Sequence, residues 1–139
     1  MDMNYVNTFI QVAPDCPVKA AVIPPARGGK KSIPLLEYEM LSGSPYRFTQ
    51  EEILFEVHAR HKGIPESELK SHRKELWEDF YSKPRACLRA SSLPKKYGWG
   101  LHFNAEGKTA LVPMESLEYR QFASNKNITQ LLAMRSKRS

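Results

Sequence analysis

The sequence predicts an α+β fold: one domain in which several helices pack on a small antiparallel sheet of about three strands. Two patterns and one size argument lead there. Between Thr49 and Tyr81 apolar side chains recur at helical spacing, bounded by residues that cap helix ends. Two β-rich runs, Trp99 to Phe103 and Thr109 to Val112, flank a turn and read as a hairpin near 99–112. The chain has 139 residues and a mass of 15.9 kDa, which suits a single domain over 1–139. A domain of that size buries roughly two thirds of the surface its unfolded chain exposes, enough for a hydrophobic core. A composition of 41% hydrophobic and 26% charged residues excludes a disordered or collagen-like chain.

Residues Val6 to Val12 mix β-branched and aromatic side chains before the turn signal Ala13-Pro14-Asp15-Cys16-Pro17, and read as a first strand. Pro24-Pro25 and Gly28-Gly29 then interrupt regular structure, so Pro17 to Lys31 reads as a long surface loop. Ser32 caps a short helix over Ile33 to Leu41, with Pro34 tolerated in the first turn, where N–H groups have no intrahelical partner. Thr49-Gln50-Glu51-Glu52 is a capping box, and its helix runs to about Lys62 before Gly63 closes it. Pro65 starts the next helix, on which Leu69, Arg73, Leu76, Trp77, Phe80 and Tyr81 form a stripe; Lys83-Pro84 ends it and leads into a short turn of helix through Arg89. After the hairpin, Glu115 to Ala123 and Ile128 to Met134 read as two terminal helices, the second capped by Asn127. Residues 135–139 read as a frayed basic tail.

Lys and Arg outnumber Asp and Glu by 21 to 15, giving a formal net charge of +6, and the excess is unevenly placed. Three acid-free segments carry +11: Arg27, Lys30 and Lys31; Lys83, Arg85, Arg89, Lys95 and Lys96; and Arg135, Lys137 and Arg138. The remainder carries −5. In Lys95-Lys96-Tyr97-Gly98-Trp99-Gly100, cations stand beside aromatics in what reads as a glycine-loosened loop. Single-stranded nucleic acid asks for that pairing, cations for phosphates and ring faces for bases. Arg27-Gly28-Gly29-Lys30-Lys31-Ser32 before a helix has the character of an anion-binding loop, yet Pro24 stands where a P-loop needs its first glycine.

Catalytic motifs are absent: no HExxH, GxSxG, kinase signature or GxGxxG occurs. His58 and His61 lie three apart on one helix. Glu68, His72, Glu75 and Asp79 share a face of the next, so a metal site at His58, His61, His72 and Glu75 is the enzyme alternative, against a solvated polar face. Cys87, flanked by Arg85 and Arg89, is a second alternative as a nucleophile, although no base is assigned to it from sequence. Two cysteines without CxxC spacing make neither a zinc ribbon nor a redox pair. The N-terminus lacks the basic start and apolar block of a secretory signal and no apolar run reaches bilayer length, so a soluble cytosolic protein is expected.

Asn7-Thr8-Phe9-Ile10 with Ala13-Pro14-Asp15-Cys16-Pro17, Gly29-Lys30-Lys31, the run Phe55 to Gly63, and above all Lys83 to Ser91 with Leu93 to Gly100 resemble a family of small bacterial cytosolic proteins carrying a domain of unknown function. The resemblance spans essentially the whole chain, including Met134 to Arg138. It implies a stand-alone bacterial domain and brings no activity, cofactor or catalytic residue with it. The expectation from the residues is therefore a non-catalytic binding protein, without cofactor. Arg85, Arg89, Lys95, Lys96, Tyr97 and Trp99, with Lys30 and Lys31, would meet a phosphate-bearing partner, single-stranded nucleic acid among the candidates.

Overall fold

The structure, a computed structural model, describes residues 3–136. Strand β1 (Thr8–Gln11) is followed by helices α1 (Ile33–Gly43), α2 (Gln50–Lys62), α3 (Glu66–Ser71) and α4 (Arg73–Phe80). A 3₁₀ turn (Leu88–Ala90) leads into α5 (Ser92–Lys96), the hairpin strands β2 (Trp99–Phe103) and β3 (Thr109–Pro113), helix α6 (Leu117–Ala123) and strand β4 (Thr129–Leu132). Among the described residues the sheet has four strands in the order β3-β2-β1-β4. The α+β class and the hairpin are as expected from the sequence. The sheet, however, is mixed and not purely antiparallel, because β4 runs parallel to β1.

Strand alternation assigns the two faces of the sheet. Ile10 pairs with Leu101 and Thr8 with Phe103, and the apolar members of this face enter one buried cluster with Leu36 and Leu41 of α1, Ile53 and Val57 of α2, and Leu88 and Leu93. On the opposite face Phe9 meets Tyr119 and Phe122 of α6, with ring centroids 5.1 and 5.5 Å apart. Gly100 makes that approach possible: a Cβ there would stand 2.8 Å from both the Phe9 and the Tyr119 ring.

The 128–134 segment holds strand β4 (Thr129–Leu132), not the helix its Leu, Gln and Met residues suggest. Short apolar runs are ambiguous between the two periods, and the open edge of β1 decides the matter. Thr129 N–H donates to Asn7 O and Ala133 N–H to Gln11 O, each at 2.9 Å, satisfying groups that would otherwise be orphaned. Alternation then points Leu131 and Ala133 into the core, while the Gln130 side chain bonds Gln11 and the carbonyls of Phe122 and Asn125.

The stripe of 65–81 is likewise not one helix. His72, at φ −121° and ψ 27°, divides it into α3, which buries nothing, and α4, whose Trp77 and Phe80 rings contact Phe55 of α2. Arg73 leaves the apolar stripe to pair with the buried Glu56 carboxylate at 2.8 Å. The Thr49–Glu52 capping box and the Gly63 cap bound α2 as the sequence indicates. A further departure lies at 91–98. Ser91 caps α5 through Leu93 N–H, so Lys95 and Lys96 stand in the last turn of a helix rather than in a loose loop. Gly98 is held, not loose: its φ is +80°, and a Cβ would meet Met114 Sδ at 2.9 Å and the Ala21 backbone at 3.1 Å.

Candidate functional site

Four segments, the first two consecutive in sequence, border one open cavity of about 560 Å³. The first is the tight turn 27–30. Arg27 and Lys30 exchange both backbone hydrogen bonds at 2.9 Å, and Gly28 and Gly29 both take positive φ, as a type I′ turn demands. An opposed pair in such a turn projects its side chains to one face. The glycines are thus used by the turn, and the cations beside it, Arg27, Lys30 and Lys31, reach the cavity.

The second wall is the first turn and a half of α1, from its cap Ser32 to Glu37. The helix start contributes the positive end of a backbone dipole to the side where the cations lie. The third is α2, through Leu54 and His61. The fourth is the 86–97 segment, which brings Cys87, Ser91, Ser92, Lys96 and Tyr97. This last wall is pinned by the fully buried Gln50, whose side-chain carbonyl accepts Leu88 N–H at 2.7 Å, and by Tyr5, whose hydroxyl donates to Cys87 Sγ at 3.4 Å.

Glu37 is the chemically distinctive member. Its side chain is on the buried face of α1 and only 4% exposed, and one carboxylate oxygen accepts the Ser91 hydroxyl at 2.7 Å. Burial pushes its pKa up to about 7, a rise that the Ser91 hydrogen bond reduces in part. A group that exchanges its proton near neutrality is thereby set in the wall of a cation-rimmed cavity. Nothing in the sequence reading singled it out. The available signal was helical spacing: Glu37 lies four residues before Leu41, on the face that also buries Leu36.

The residues expected from the sequence separate into two groups. Lys30, Lys31, Lys96 and Tyr97 line the cavity, as do Cys87 and His61 from the enzyme alternatives. Arg85, Arg89, Lys95 and Trp99 are not among its lining residues. Arg85 donates to Phe80 O at 2.8 Å and stacks 3.9 Å above the Phe80 ring, and Arg89 donates to Leu132 O at 2.9 Å. Trp99 is committed to the fold, its indole N–H on Val22 O at 2.8 Å and its ring against Tyr38. Lys31 also pairs with Glu39 at 2.8 Å, an exposed pair of small energy. Of the third basic segment, Arg135 is exposed, and Lys137 and Arg138 lie outside the described residues, as does most of the 135–139 tail.

The structure does not bring the four residues of the metal alternative together. Among the described residues no group of three or more His, Cys, Asp or Glu side chains could hold an ion. His58 packs on the Phe80 ring at 4.6 Å, and burial lowers its pKa, with Arg85 next among the causes. His72 and Glu75 are exposed and bond each other at 2.9 Å, while His61 turns to the cavity. The physical reason is that the two helix faces do not meet: His58 is taken up by Phe80 and His61 by the cavity, while His72 and Glu75 stay at the surface.

A second cavity of about 620 Å³ lies among α1, α2, α3 and α4, with both signs of charge in its walls, including the Arg73–Glu56 pair. Among the described residues no helix is long and apolar enough to cross a membrane.

Fold and site together define a single-sheet α+β protein with a cation-rimmed cavity and a buried carboxyl in its wall. The family model DUF6157, described as a family of unknown function, matches residues 1–139, the whole chain, and the protein belongs to that family. No curated protein and no solved structure matches the chain.

Proposed function

We propose that the protein binds a small phosphate-bearing ligand in the cavity between the 27–31 turn, α1, α2 and the 86–97 segment. The observation that supports this reading most is that cations from two of the acid-free basic segments, Lys30 and Lys31 from one and Lys96 from the other, line the same 560 Å³ space at the start of α1. That volume falls in the range of small-molecule sites, roughly 300–1,000 Å³. Charge from several directions, with a helix dipole behind it, suits a phosphate group. A strand-like nucleic acid is less well served, because Trp99 is committed to Val22 O and Tyr38, and Arg85 and Arg89, each held through Nε to a backbone carbonyl, do not line the cavity.

Calorimetric titration with phosphomonoesters and with short oligonucleotides, each at two salt concentrations, tests the reading. Saturable, salt-weakened binding of a phosphomonoester, reduced at least about tenfold in a Lys30→Ala/Lys31→Ala variant, is expected. No binding at low salt, or unchanged binding by that variant, refutes it. Oligonucleotides binding tightly where monoesters do not would replace the cavity reading with the nucleic-acid one. A second reading, a cysteine-dependent enzyme, draws on Cys87 and His61 lining the same cavity. Its test is the rate of Cys87 alkylation against pH in wild type and in His61→Gln. A thiol that reacts at the rate of free cysteine in both proteins eliminates it.

A further inference from the structure

We propose that the ligand of this cavity is bipolar: a phosphate ester that carries a cationic nitrogen, its phosphate among Lys30, Lys31 and Lys96 and its nitrogen on the Glu37 carboxylate. The inference rests on the phosphate-binding reading and adds the chemistry of the ligand's other end.

Above about pH 7, where Glu37 is ionised, a carboxylate in the wall repels a plain anion. Glu37 is nevertheless there. It is more than nine-tenths buried and lines the cavity, and Ser91 Oγ is the hydrogen-bond partner the structure gives it among the described residues. Burying a carboxyl with one neutral hydrogen bond costs stability that an apolar residue in the same helix position would not. A cationic group on the ligand would repay that cost through a charge-assisted hydrogen bond. The placement on α1 gives a length. Ile33 and Glu37 are separated by four residues, about 6 Å along the helix axis at 1.5 Å per residue. Helix side chains lean toward the N-terminus, so the carboxyl lies within about one turn of the anion-favouring start of α1, a separation that a three-carbon aminoalkyl phosphate can bridge.

The other charged and titratable groups lining the cavity are Arg27, Lys30 and Lys31 on the turn, His61 on α2, Cys87 just before the 3₁₀ turn, Lys96 on α5 and Tyr97 at its end. Their contacts with the phosphate are common to two ligands that differ only in the amine, but the cations also repel the ammonium. The informative quantity is therefore the ratio of dissociation constants for propyl phosphate and 3-aminopropyl phosphate, compared between wild type and Glu37→Gln, a comparison in which the contribution of the rim cancels.

Calorimetry on the full chain at pH 8 should find the aminopropyl ester at least about tenfold tighter, the yield of one hydrogen bond between charged groups. The ratio should fall toward one as pH drops below about 7, where Glu37 takes up its proton. In Glu37→Gln it should be close to one or below at every pH. A wild-type ratio near one at pH 8, or a preference that survives in Glu37→Gln, overturns the proposal while leaving phosphate binding intact. Failure of both esters to bind overturns the phosphate reading and this inference with it. Where the variant is poorly folded, the wild-type ratio at pH 8 still decides: a value near one overturns the proposal.

Discussion

Replacing Glu37 by Gln should make the protein more stable, and by an amount that depends on pH. The ordinary pKa of the group is 4.5 and burial raises it to about 7 in the folded chain. Between those values the native state holds a proton that the unfolded chain has released, so stability falls as pH rises through the window and levels off above about 7. At 1.36 kcal/mol for each tenfold change in proton affinity, the full penalty is about 3 kcal/mol. The part that develops between pH 5 and pH 8 is roughly 2–3 kcal/mol. Gln keeps the acceptor for Ser91 Oγ and carries no charge to desolvate, so the variant lacks this dependence. Urea unfolding of both proteins at pH 5, 6, 7 and 8 measures it. With a slope of roughly 1–3 kcal/mol per molar urea, the gap between the two midpoints should widen by about 1–2 M from pH 5 to pH 8. A gap that stays constant with pH would refute the statement that Glu37 is buried and neutral-poised.

Gly98→Ala should cost about 2 kcal/mol or more by urea unfolding, because the residue is at φ +80° with Met114 Sδ where the new methyl would go; a neutral result would mean that the segment is loose. Trp99→Ala should lose about 2–4 kcal/mol through Tyr38 packing and the Val22 bond, whereas Lys96→Ala, at an exposed position, should stay within about 0.5 kcal/mol. Amide hydrogen exchange should protect Thr129 and Ala133, which bond to β1, more than Gln130 and Leu132; uniform protection over 129–133 would indicate the helix instead.

Much of the fold was legible because local chemistry and tertiary structure agree at the element ends. Ser32, Thr49 with Glu52, and Gly63 bound helices for reasons contained in a few neighbouring residues. The sequence misleads where the deciding partner is remote. Residues 128–134 carry helix-forming side chains, and only the unpaired edge of β1, more than a hundred positions away, makes them a strand. Helix α5 was hidden by Pro94, although Ser91 ahead of it was a usable cap. At the site, the basic clusters were visible as composition, but their association was not. Lys30, Lys31 and Lys96 line one cavity because the chain returns past α1 at 86–97, a segment that Gln50 holds through Leu88 N–H. Arg85, Arg89 and Trp99 resembled binding residues for a related reason: a sequence does not show which donors the backbone has already claimed. Glu37 is the converse, an ordinary helical glutamate whose chemistry arises from burial alone.

The most direct test of the central claim is an amide chemical-shift titration of the protein with a phosphomonoester at low salt. Perturbed resonances should cluster at residues 27–37, around His61, and at 86–97, the walls of one cavity, with little change in α6 on the opposite face of the sheet. Shifts that concentrate elsewhere, or an unperturbed spectrum at millimolar ligand, would contradict it.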